Sequence, residues 1–343
     1  MADPRRRRRR TATAIAAPNI ALVKYWGQRD ERLRLPYNSS LSVTLGGIRT
    51  RTTVRFDPGF ARDRLSLNGR WVTGPPLDAV RKFLDRVREL SAEPEHAEVV
   101  SANNFPTASG LASSASGFAA LAGAAAWAAG VDATPADLSR LARVGSGSAA
   151  RSIFGGFVVW DKGQRADGLD SVARPLFGPT HWPELVDLVV VIRGAPDKPI
   201  RSADAMQRSV ATSPRFAGRQ RAVPPRLERM ERAIAERDAE RLFPEVMEEC
   251  DDFRAVCETT RPPLDYLTPA SRAVLDAVRT VNREAGHPVA AYTHDAGAHV
   301  HVFTLAEDAA TVRAALAAVA GVERILSLRP GPGLHRAGRS AAA

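Results

Sequence analysis

The sequence predicts a two-domain protein that mixes α-helices and β-strands. Its 343 residues exceed the size at which a single hydrophobic core usually stops growing. Some stretches alternate apolar and polar residues, which predicts strands, and others repeat apolar residues every three to four positions, which predicts helices. A loop rich in Pro and Gly, about residues 161–184, separates two such halves. We therefore expect domains at residues 13–184 and 185–335.

The first half alternates strand and helix patterns. An amphipathic helix is indicated by apolar residues on one face with arginines opposite, and an Ala-rich helix is stopped by Gly130. In order, the predicted elements are strands within residues 16–22 and 36–56, a helix at 77–90, a strand closing at Val99 and Val100, helices ending near 129 and 142, and a strand at 157–160.

The second half begins with a continuous apolar run that predicts a buried strand. A β-α-β-like arrangement is expected at its end. In order, the predicted elements are a strand at residues 185–192, helices at 227–242 and 270–285, strands at 289–293 and 300–305, a helix near 308–320 and a strand near 323–328.

The net charge of +10 is concentrated in six consecutive arginines at residues 5–10. Such a block is typical of a solvated, disordered arm, so residues 1–12 and 336–343 are expected to be tails. The block lacks the interleaved aromatic residues or recognition motif that nucleic-acid binding would call for. The apolar stretch after it is too short for an export signal. We expect no nucleic-acid or membrane partner.

Two cysteines and scattered histidines give no sign of a disulfide or a protein-held metal. Cys250 and Cys257 lie two turns apart on a predicted helix, too far for a disulfide, and are typical of a cytoplasmic protein. His294, His299 and His301 lie near one strand, but they lack a further ligand in the pattern. No apolar run is long enough to cross a membrane.

A Gly/Ser-rich run at residues 103–117 is the first candidate site. Gly110 permits close approach of a ligand to the backbone, and Ser113 and Ser114 can cap the helix that follows. Free N–H groups and the helix dipole at such a start attract anions. The run alone is equally typical of a capped helix with a flexible approach, because it carries no Walker-type lysine.

Four blocks together resemble the GHMP kinase superfamily and, more narrowly, its diphosphomevalonate decarboxylase family. The resemblance covers about residues 14–330, with the blocks in the family's order and spacing. They are Pro106-Thr-Ala-Ser-Gly-Leu-Ala-Ser-Ser-Ala115; Ala17-Pro-Asn-Ile-Ala-Leu-Val-Lys-Tyr-Trp-Gly27 with Arg29-Asp30 and residues 38–42; Gly145-Ser-Gly-Ser-Ala-Ala-Arg-Ser152; and Asp295-Ala-Gly297.

The resemblance implies an α+β, two-domain GHMP-kinase-like fold with the active site in the cleft between domains. The N-terminal domain is expected to be ribosomal-S5-domain-2-like and the C-terminal domain a ferredoxin-like α/β sandwich. It also implies a homodimer, ATP and Mg²⁺ as cofactors, and a phosphorylated 3-hydroxy acid as substrate. In the implied reaction ATP phosphorylates the 3-hydroxyl, and loss of that phosphate drives departure of the carboxylate as CO₂.

By resemblance, Asp295 orients or deprotonates the 3-hydroxyl, Arg151 grips the substrate carboxylate and Lys24 completes the catalytic set. By position alone Asp295 is equally typical of an Asx turn, and Trp26 of core packing. The phosphate-binding residues implied are Pro106, Ser109, Gly110, Leu111, Ala112, Ser113, Ser114 and Ala115, with Ser113 or Ser114 on Mg²⁺. The substrate-binding residues implied are Asn19, Tyr25, Trp26, Ser146, Gly147, Ser148, Arg151 and Ser202.

This sequence departs from the family pattern at the phosphate end of the substrate. Gln28 stands where the family usually has a lysine that holds the diphosphate, and Arg201 replaces a serine. Arg201 or Arg254 can supply the missing charge. Diphosphomevalonate, which would give isopentenyl diphosphate, is the expected substrate. The alternatives are phosphomevalonate or another 3-hydroxy acid, a 3-kinase, and nucleic-acid binding through the arginine arm.

Overall fold

The computed structural model describes residues 10–91, 94–105, 113–196 and 200–338. Within these ranges the chain alternates strands and helices as the sequence patterns predict. The strands are β1 (Arg10–Ala16), β2 (Asn19–Val23), β3 (Gln28–Asp30), β4 (Leu35–Pro36), β5 (Ser40–Thr44), β6 (Thr50–Phe56), β7 (Arg64–Leu67), β8 (Arg70–Val72), β9 (Ala97–Asn103), β10 (Phe157–Trp160), β11 (Ala173–Phe177), β12 (Leu185–Ile192), β13 (Ala290–Thr293), β14 (Val300–Leu305), β15 (Val322–Leu328) and β16 (His335–Arg336).

The helices account for most of the remaining ordered backbone. No helix within the described ranges combines the length and apolar character needed to cross a bilayer. The helices are α1 (Pro75–Ser91), α2 (Ser113–Ala129), α3 (Pro135–Gly145), a 3₁₀ helix (Gly147–Ile153), α4 (Ser202–Thr212), α5 (Phe216–Glu236), α6 (Ala239–Glu258), α7 (Pro269–Ala285) and α8 (Ala309–Ala317).

Three sheets carry the architecture. The first has the order β16-β1-β6-β9-β7-β8, and only its β7–β9 pair is parallel among the paired strands described. The second has the order β11-β10-β5-β2, and the third β13-β14-β12-β15. Helices α1 to α3 cover the first sheet, and α7 and α8 cover one face of the third. Helices α5 and α6 fill the space between the second and third sheets.

Local signals set several helix ends. Thr134 caps α3 in a reciprocal capping box with Asp137, and Thr268 caps α7. Gly130, at φ +75°, follows the last residue of α2, which confirms the predicted stop. Helix α2 is Ala-rich because it is buried nearly all round against the first sheet, where larger side chains would not fit.

Two predicted elements are wrong in detail. The single helix expected at residues 227–242 is two helices, because Arg237 takes a left-handed φ of 55° and Asp238 caps α6. Helix α5 begins at Phe216 and runs through two prolines, since its buried side chains offset their cost. The loop expected at residues 161–184 contains β11, which pairs with β10.

The predicted tails are too long within the described residues. Strand β1 already begins at Arg10 and pairs with β6 through residues expected to be disordered. At the other end, the chain after β15 returns to the first sheet, where β16 pairs with β1. Arg336 stacks 4.8 Å from the centre of the Trp127 ring. The segment 329–337 therefore packs with the N-terminal half, while residues 1–9 and 339–343 lie outside the described ranges.

The hydrophobic core is continuous across the predicted domain boundary. One buried cluster combines Ile20, Leu41 and Phe157 from the second sheet with Val223 and Phe243 from α5 and α6. The division at residue 185 stays a prediction, but the two halves share this core. This shared core packs the second sheet against α6. The second sheet and α6 both contribute residues to the candidate site.

Candidate active site

A cleft between the two halves collects most of the residues that the sequence singled out. Its lining comes from the β2–β3 connection, the start of α2, the 3₁₀ helix, the start of α4, α6 and the β13–β14 loop. The residues are Ala21, Lys24, Tyr25, Trp26, Gln28, Arg34, Ser114, Ser146, Gly147, Ser148, Arg151, Ser202, Ala203, Met206, Phe253, Asp295 and Ala296.

Asp295 and Lys24 form an ion pair inside this cleft. Asp295 follows β13 on a short turn closed by the Gly297 N–H, which donates to the Asp295 carbonyl at 2.8 Å. The Lys24 Nζ donates to the Asp295 Oδ1 at 2.9 Å and to the Ala21 carbonyl at 2.7 Å. Lys24 is 3% exposed and Asp295 29% exposed, so the carboxylate faces the cleft while the ammonium is enclosed. The two predicted catalytic groups therefore meet.

Arg151 lies on the 3₁₀ helix and is aimed by two buried partners. Its Nε donates to the Asn19 Oδ1 at 3.2 Å and its Nη1 to the Ser40 Oγ at 2.6 Å. Burial lowers the pKa of Arg151 to about 10, against the opposing influence of Asp295, so the guanidinium is still charged at neutral pH. Its Nη2 has no protein acceptor in the part of the chain that the structure describes. A ligand carboxylate can occupy that position.

Asn19 supports Arg151 and the neighbouring serine turn from below the cleft surface. Its Nδ2 donates to the Ser148 carbonyl at 3.1 Å and to the Ser152 Oγ at 2.8 Å, while its Oδ1 accepts from Arg151. The amide is thereby fully engaged, and Asn19 is absent from the cleft lining. It positions Arg151 and the turn that carries Ser148, and its expected contact with the substrate stays a prediction.

Serine hydroxyls converge where the 3₁₀ helix meets the start of α2. The Ser146 Oγ lies 3.5 Å from both the Ser114 Oγ and the Ser148 Oγ. Ser114 borders the cleft and also a second, largely apolar cavity, which Ser113 lines as well. Ala115 is fully buried and lines neither cavity.

The remaining predicted phosphate-binding residues, Pro106, Ser109, Gly110, Leu111 and Ala112, lie outside the described ranges.

Tyr25 and Gly147 fit each other so closely that the glycine is required. A Cβ added at Gly147 would lie 2.5 Å from the Tyr25 Cε1, well inside van der Waals contact. The Gln28 Nε2 donates to the Tyr25 hydroxyl oxygen at 2.6 Å. Burial raises the pKa of Tyr25 to about 12, so the phenol keeps its proton. With its oxygen already accepting from Gln28, Tyr25 can donate that proton to a ligand.

Trp26 combines the packing and lining roles that the sequence left open. Its ring packs edge-on against Phe253, with centroids 4.9 Å apart, and near Tyr266. It is buried and borders the cleft. Its Nε1 finds no acceptor among the described residues, so a ligand oxygen can supply one. Ser202 is placed as expected, at the first position of α4 on the cleft wall.

Sequence reasoning missed Glu249, which holds the backbone of Lys24. Glu249 is fully buried on α6, and its Oε1 accepts the Lys24 backbone N–H at 3.0 Å. Arg219 forms an ion pair with Glu249 and also donates to the Lys24 carbonyl at 2.9 Å. Arg226 reaches the other carboxylate oxygen at 2.9 Å. Helical periodicity could have predicted that Glu249 is buried, because it occupies the same face of α6 as the apolar residues Val246 and Phe253.

The two arginines expected to replace a lysine at position 28, Arg201 and Arg254, do not line the cleft. Arg254 pairs with Asp251 and does not line the cleft. Arg201 pairs with Asp204, and its side chain is 82% exposed. Arg34, which the sequence did not single out, lines the cleft near Gln28 instead.

The histidines near β14 have separate partners. The His301 Nδ1 contacts the Asp187 Oδ2 at 2.7 Å, and the His299 Nδ1 accepts the Ile192 N–H at 3.1 Å. The His294 Nδ1 lies 2.8 Å from the Asp295 carbonyl oxygen. Burial lowers the pKa of His294 and His299 to about 4 each.

Comparison with known protein families covers both halves of the chain. Residues 16–173 match the diphosphomevalonate decarboxylase-like N-terminal domain, and residues 188–328 match the mevalonate 5-diphosphate decarboxylase C-terminal domain. The diphosphomevalonate decarboxylase of Bos taurus is 44% identical over 89% of this chain and 79% of its own length. The Saccharomyces cerevisiae enzyme of the same name is 39% identical over 87% of this chain and 78% of its own length.

Solved structures agree with this assignment. The mevalonate diphosphate decarboxylase of Staphylococcus aureus superposes with a TM-score of 0.90 at 35% identity, covering 96% of this chain and 99% of that chain. A structure described as MDDEF in complex with MVAPP, AMPPCP and magnesium gives a TM-score of 0.89 at 37% identity, over 96% of this chain and 99% of that chain. The expected α+β GHMP-kinase-like fold is thereby confirmed, and the chain belongs to the diphosphomevalonate decarboxylase family of ATP-dependent carboxy-lyases.

Proposed function

We propose that this enzyme converts (R)-5-diphosphomevalonate to isopentenyl diphosphate, with release of ADP, phosphate and CO₂. The observation that carries the proposal is the meeting of the Asp295–Lys24 pair, Arg151 and the serine cluster in one cleft. These groups match the three demands of the reaction, which are activation of a hydroxyl, binding of a carboxylate and binding of transferred phosphate.

Asp295 is proposed to orient the tertiary 3-hydroxyl and accept its proton as phosphate is transferred. Its carboxylate is 29% exposed and faces the cleft, and Lys24 holds its Oδ1 at 2.9 Å in a fixed position from which it can meet the substrate hydroxyl. With the 3-hydroxyl bound at Asp295, the Lys24 ammonium would lie beside the oxygen that becomes phosphorylated and would stabilise negative charge there. Glu249 and Arg219 fix the Lys24 backbone, so little reorganisation is needed during the reaction.

Arg151 is proposed to hold the substrate carboxylate through the guanidinium edge left uncovered by Asn19 and Ser40. After the 3-hydroxyl is phosphorylated, the C3–O bond breaks and phosphate leaves with the bonding electrons. The electrons of the C1–C2 bond then form the alkene, and C1 departs as CO₂. Because Arg151 orients the carboxylate, that bond can align with the forming empty orbital at C3.

ATP is proposed to bind with its phosphates at the start of α2. The donor set there fits a phosphate chain, since the serine hydroxyls and the N–H groups of the first helical turn all donate. The adjoining second cavity suits the base, because it is mainly apolar with Thr50, Ser101 and Asn103 at its edge. Bound Mg²⁺ would neutralise phosphate charge, and Ser113 or Ser114 is proposed to hold it. The related structure described as a complex with MVAPP, AMPPCP and magnesium supports ATP and Mg²⁺ as ligands of this family.

The assay supplies purified enzyme with ATP and, in separate reactions, mevalonate, its 5-phosphate and its 5-diphosphate, and measures both ADP and CO₂. Equal amounts of ADP and CO₂ from the diphosphate are expected. CO₂ from the monophosphate alone would replace the proposed substrate with that compound. ADP without CO₂ would identify a 3-kinase. The expected homodimer and cytoplasmic location stay proposals, which sedimentation and cell fractionation can test.

A further inference from the structure

Arg34 lies on a part of the cleft wall that the proposed chemistry leaves unused. It is the last residue of the turn joining β3 and β4, so the β3–β4 hairpin places both Gln28 and Arg34 beside the cleft. We call Gln28 and Arg34 the hairpin wall. The Arg34 Nε donates to the Val144 carbonyl at 2.8 Å, which anchors the guanidinium. Within the described residues, its terminal nitrogens have no acidic partner.

The backbone conformation at Arg34 is costly for an arginine. Its φ of 51° is left-handed, a region that ordinary L-residues enter at a cost of about 1 kcal/mol or more. The hairpin is nevertheless held in this shape, because the Leu33 N–H donates to the Asp30 Oδ1 at 2.7 Å and buried Arg143 donates to the Leu33 carbonyl at 3.0 Å. The surrounding contacts thus maintain the conformation that places the Arg34 side chain beside the cleft.

The start of α4 adds a second favourable feature near the hairpin wall. Ser202 and Ala203, in its first turn, line the cleft, and the first carbonyl-bonded N–H of this helix is that of Ala205. The preceding N–H groups are therefore available to an anion, and the helix dipole is positive here. Met206 of the same helix lies 4.0 Å from the Gln28 Nε2, which brings the helix start and the hairpin wall together.

The geometry of the substrate then indicates which of its groups the hairpin wall would contact. If the 3-hydroxyl lies at Asp295 and the carboxylate at Arg151, the third arm of the substrate must extend toward the remaining polar lining. That arm ends in a phosphate chain, and the hairpin wall with the start of α4 offers a guanidinium, an amide and helix N–H groups. Gln28 is neutral and already bonded to Tyr25, so Arg34 is the cation on this wall.

We infer that Arg34, together with the start of α4, binds the terminal phosphate of the substrate and makes the enzyme select a diphosphate over a monophosphate. Arg34 thus fulfils the role that a lysine at position 28 would have. This inference rests on the proposed function, because it takes the 3-hydroxyl and carboxylate positions from it.

The test compares Arg34→Asn with the matched variant Arg32→Asn. Asn tolerates a left-handed φ, so Arg34→Asn should fold. Arg32 is exposed on the same turn and does not line the cleft, so its variant removes the same charge from the same loop. We expect Arg34→Asn to raise the KM for the diphosphate about 10- to 100-fold, with kcat and the KM for ATP changed less than about threefold. Arg32→Asn should change none of these.

A positive charge introduced in β3 provides the rescue. In Arg34→Asn, adding Gln28→Lys places an ammonium on the same wall, and we expect at least a tenfold recovery of the diphosphate KM. An unchanged KM in Arg34→Asn would overturn the inference while leaving the proposed function intact. A raised KM for ATP alone would assign Arg34 to the nucleotide and also overturn it. Wild-type enzyme that released no CO₂ from any mevalonate derivative would instead refute the proposed function.

Discussion

Removing the charge of Glu249 should destabilise the protein strongly even though the residue does not line the cleft. Glu249 is fully buried, and it is the only acid paired with Arg219 among the described residues. Glu249→Gln keeps the size of the side chain but leaves the Arg219 guanidinium, 2% exposed, without a counter-charge. Breaking a buried pair from one side costs about 3–5 kcal/mol, because the remaining charge stays desolvated.

The expected change in melting temperature follows from the size of the chain. With about 2.1 cal/mol/K of unfolding entropy per residue, 343 residues correspond to roughly 0.7 kcal/mol/K, so the loss lowers Tm by about 4–7 °C. Differential scanning calorimetry measures it. Glu248→Gln is the matched control, because Glu248 is adjacent and contacts Arg226 at 2.8 Å but is 63% exposed. Its Tm should fall by less than about 1 °C.

A second measurement separates positioning from stability. Arg219, which loses its counter-charge in Glu249→Gln, also donates to the Lys24 carbonyl, and a displaced Arg219 should shift the Lys24 backbone. Assays well below the melting transition should therefore show a kcat at least about tenfold lower, with KM affected less. Glu249→Gln with a Tm within 1 °C of wild type would refute the argument from Arg219. A normal kcat would refute the link to Lys24.

Three further predictions concern the site and its surroundings. Asp295→Asn should abolish CO₂ release while nucleotide affinity, measured by calorimetry, stays within about twofold; unchanged turnover would exclude its proposed role. Gly147→Ala should reduce kcat/KM at least about tenfold because the new methyl group displaces the Tyr25 ring, whereas Gly218→Ala, with open space around its Cβ, should be neutral in the same assay. Burial lowers the pKa of His299 from 6.5 to about 4, so the folded state favours the neutral ring and stability should fall as pH decreases from 6.5 to 4. His299→Asn removes this titration and should give a flatter plot of Tm against pH; an equally steep plot would mean that other groups dominate.

Features that depend on local chemistry were predictable from the sequence. The stop of α2 at Gly130, the strand β12 and the cap-bearing α7 follow from turn residues and periodicity, and the structure places them within a residue or two. The resemblance brought Asp295, Lys24 and Arg151 into one set, and their side chains line one cleft.

Features that depend on distant contacts were not predictable. Helix α5 continues through Pro224 and Pro225 because its buried face lies between two sheets, which no local pattern reveals. Asn19 matches the family motif, but only its contacts show that it supports Arg151. Arg34 gave no signal because a lone arginine in a turn is ordinary on any protein surface. Its significance comes from the cleft that the rest of the fold builds around it.

The return of β16 to the first sheet has a consequence for synthesis of the protein. Ile15 of β1 pairs with His335, so the two partners are 320 residues apart in the chain. At roughly 5–20 residues per second, a ribosome takes about 16–64 s to deliver the second after the first. During that interval β1 is an open strand edge on a nascent chain, the kind of edge to which chaperones and other nascent chains bind. The last of the described strands to emerge closes the first sheet.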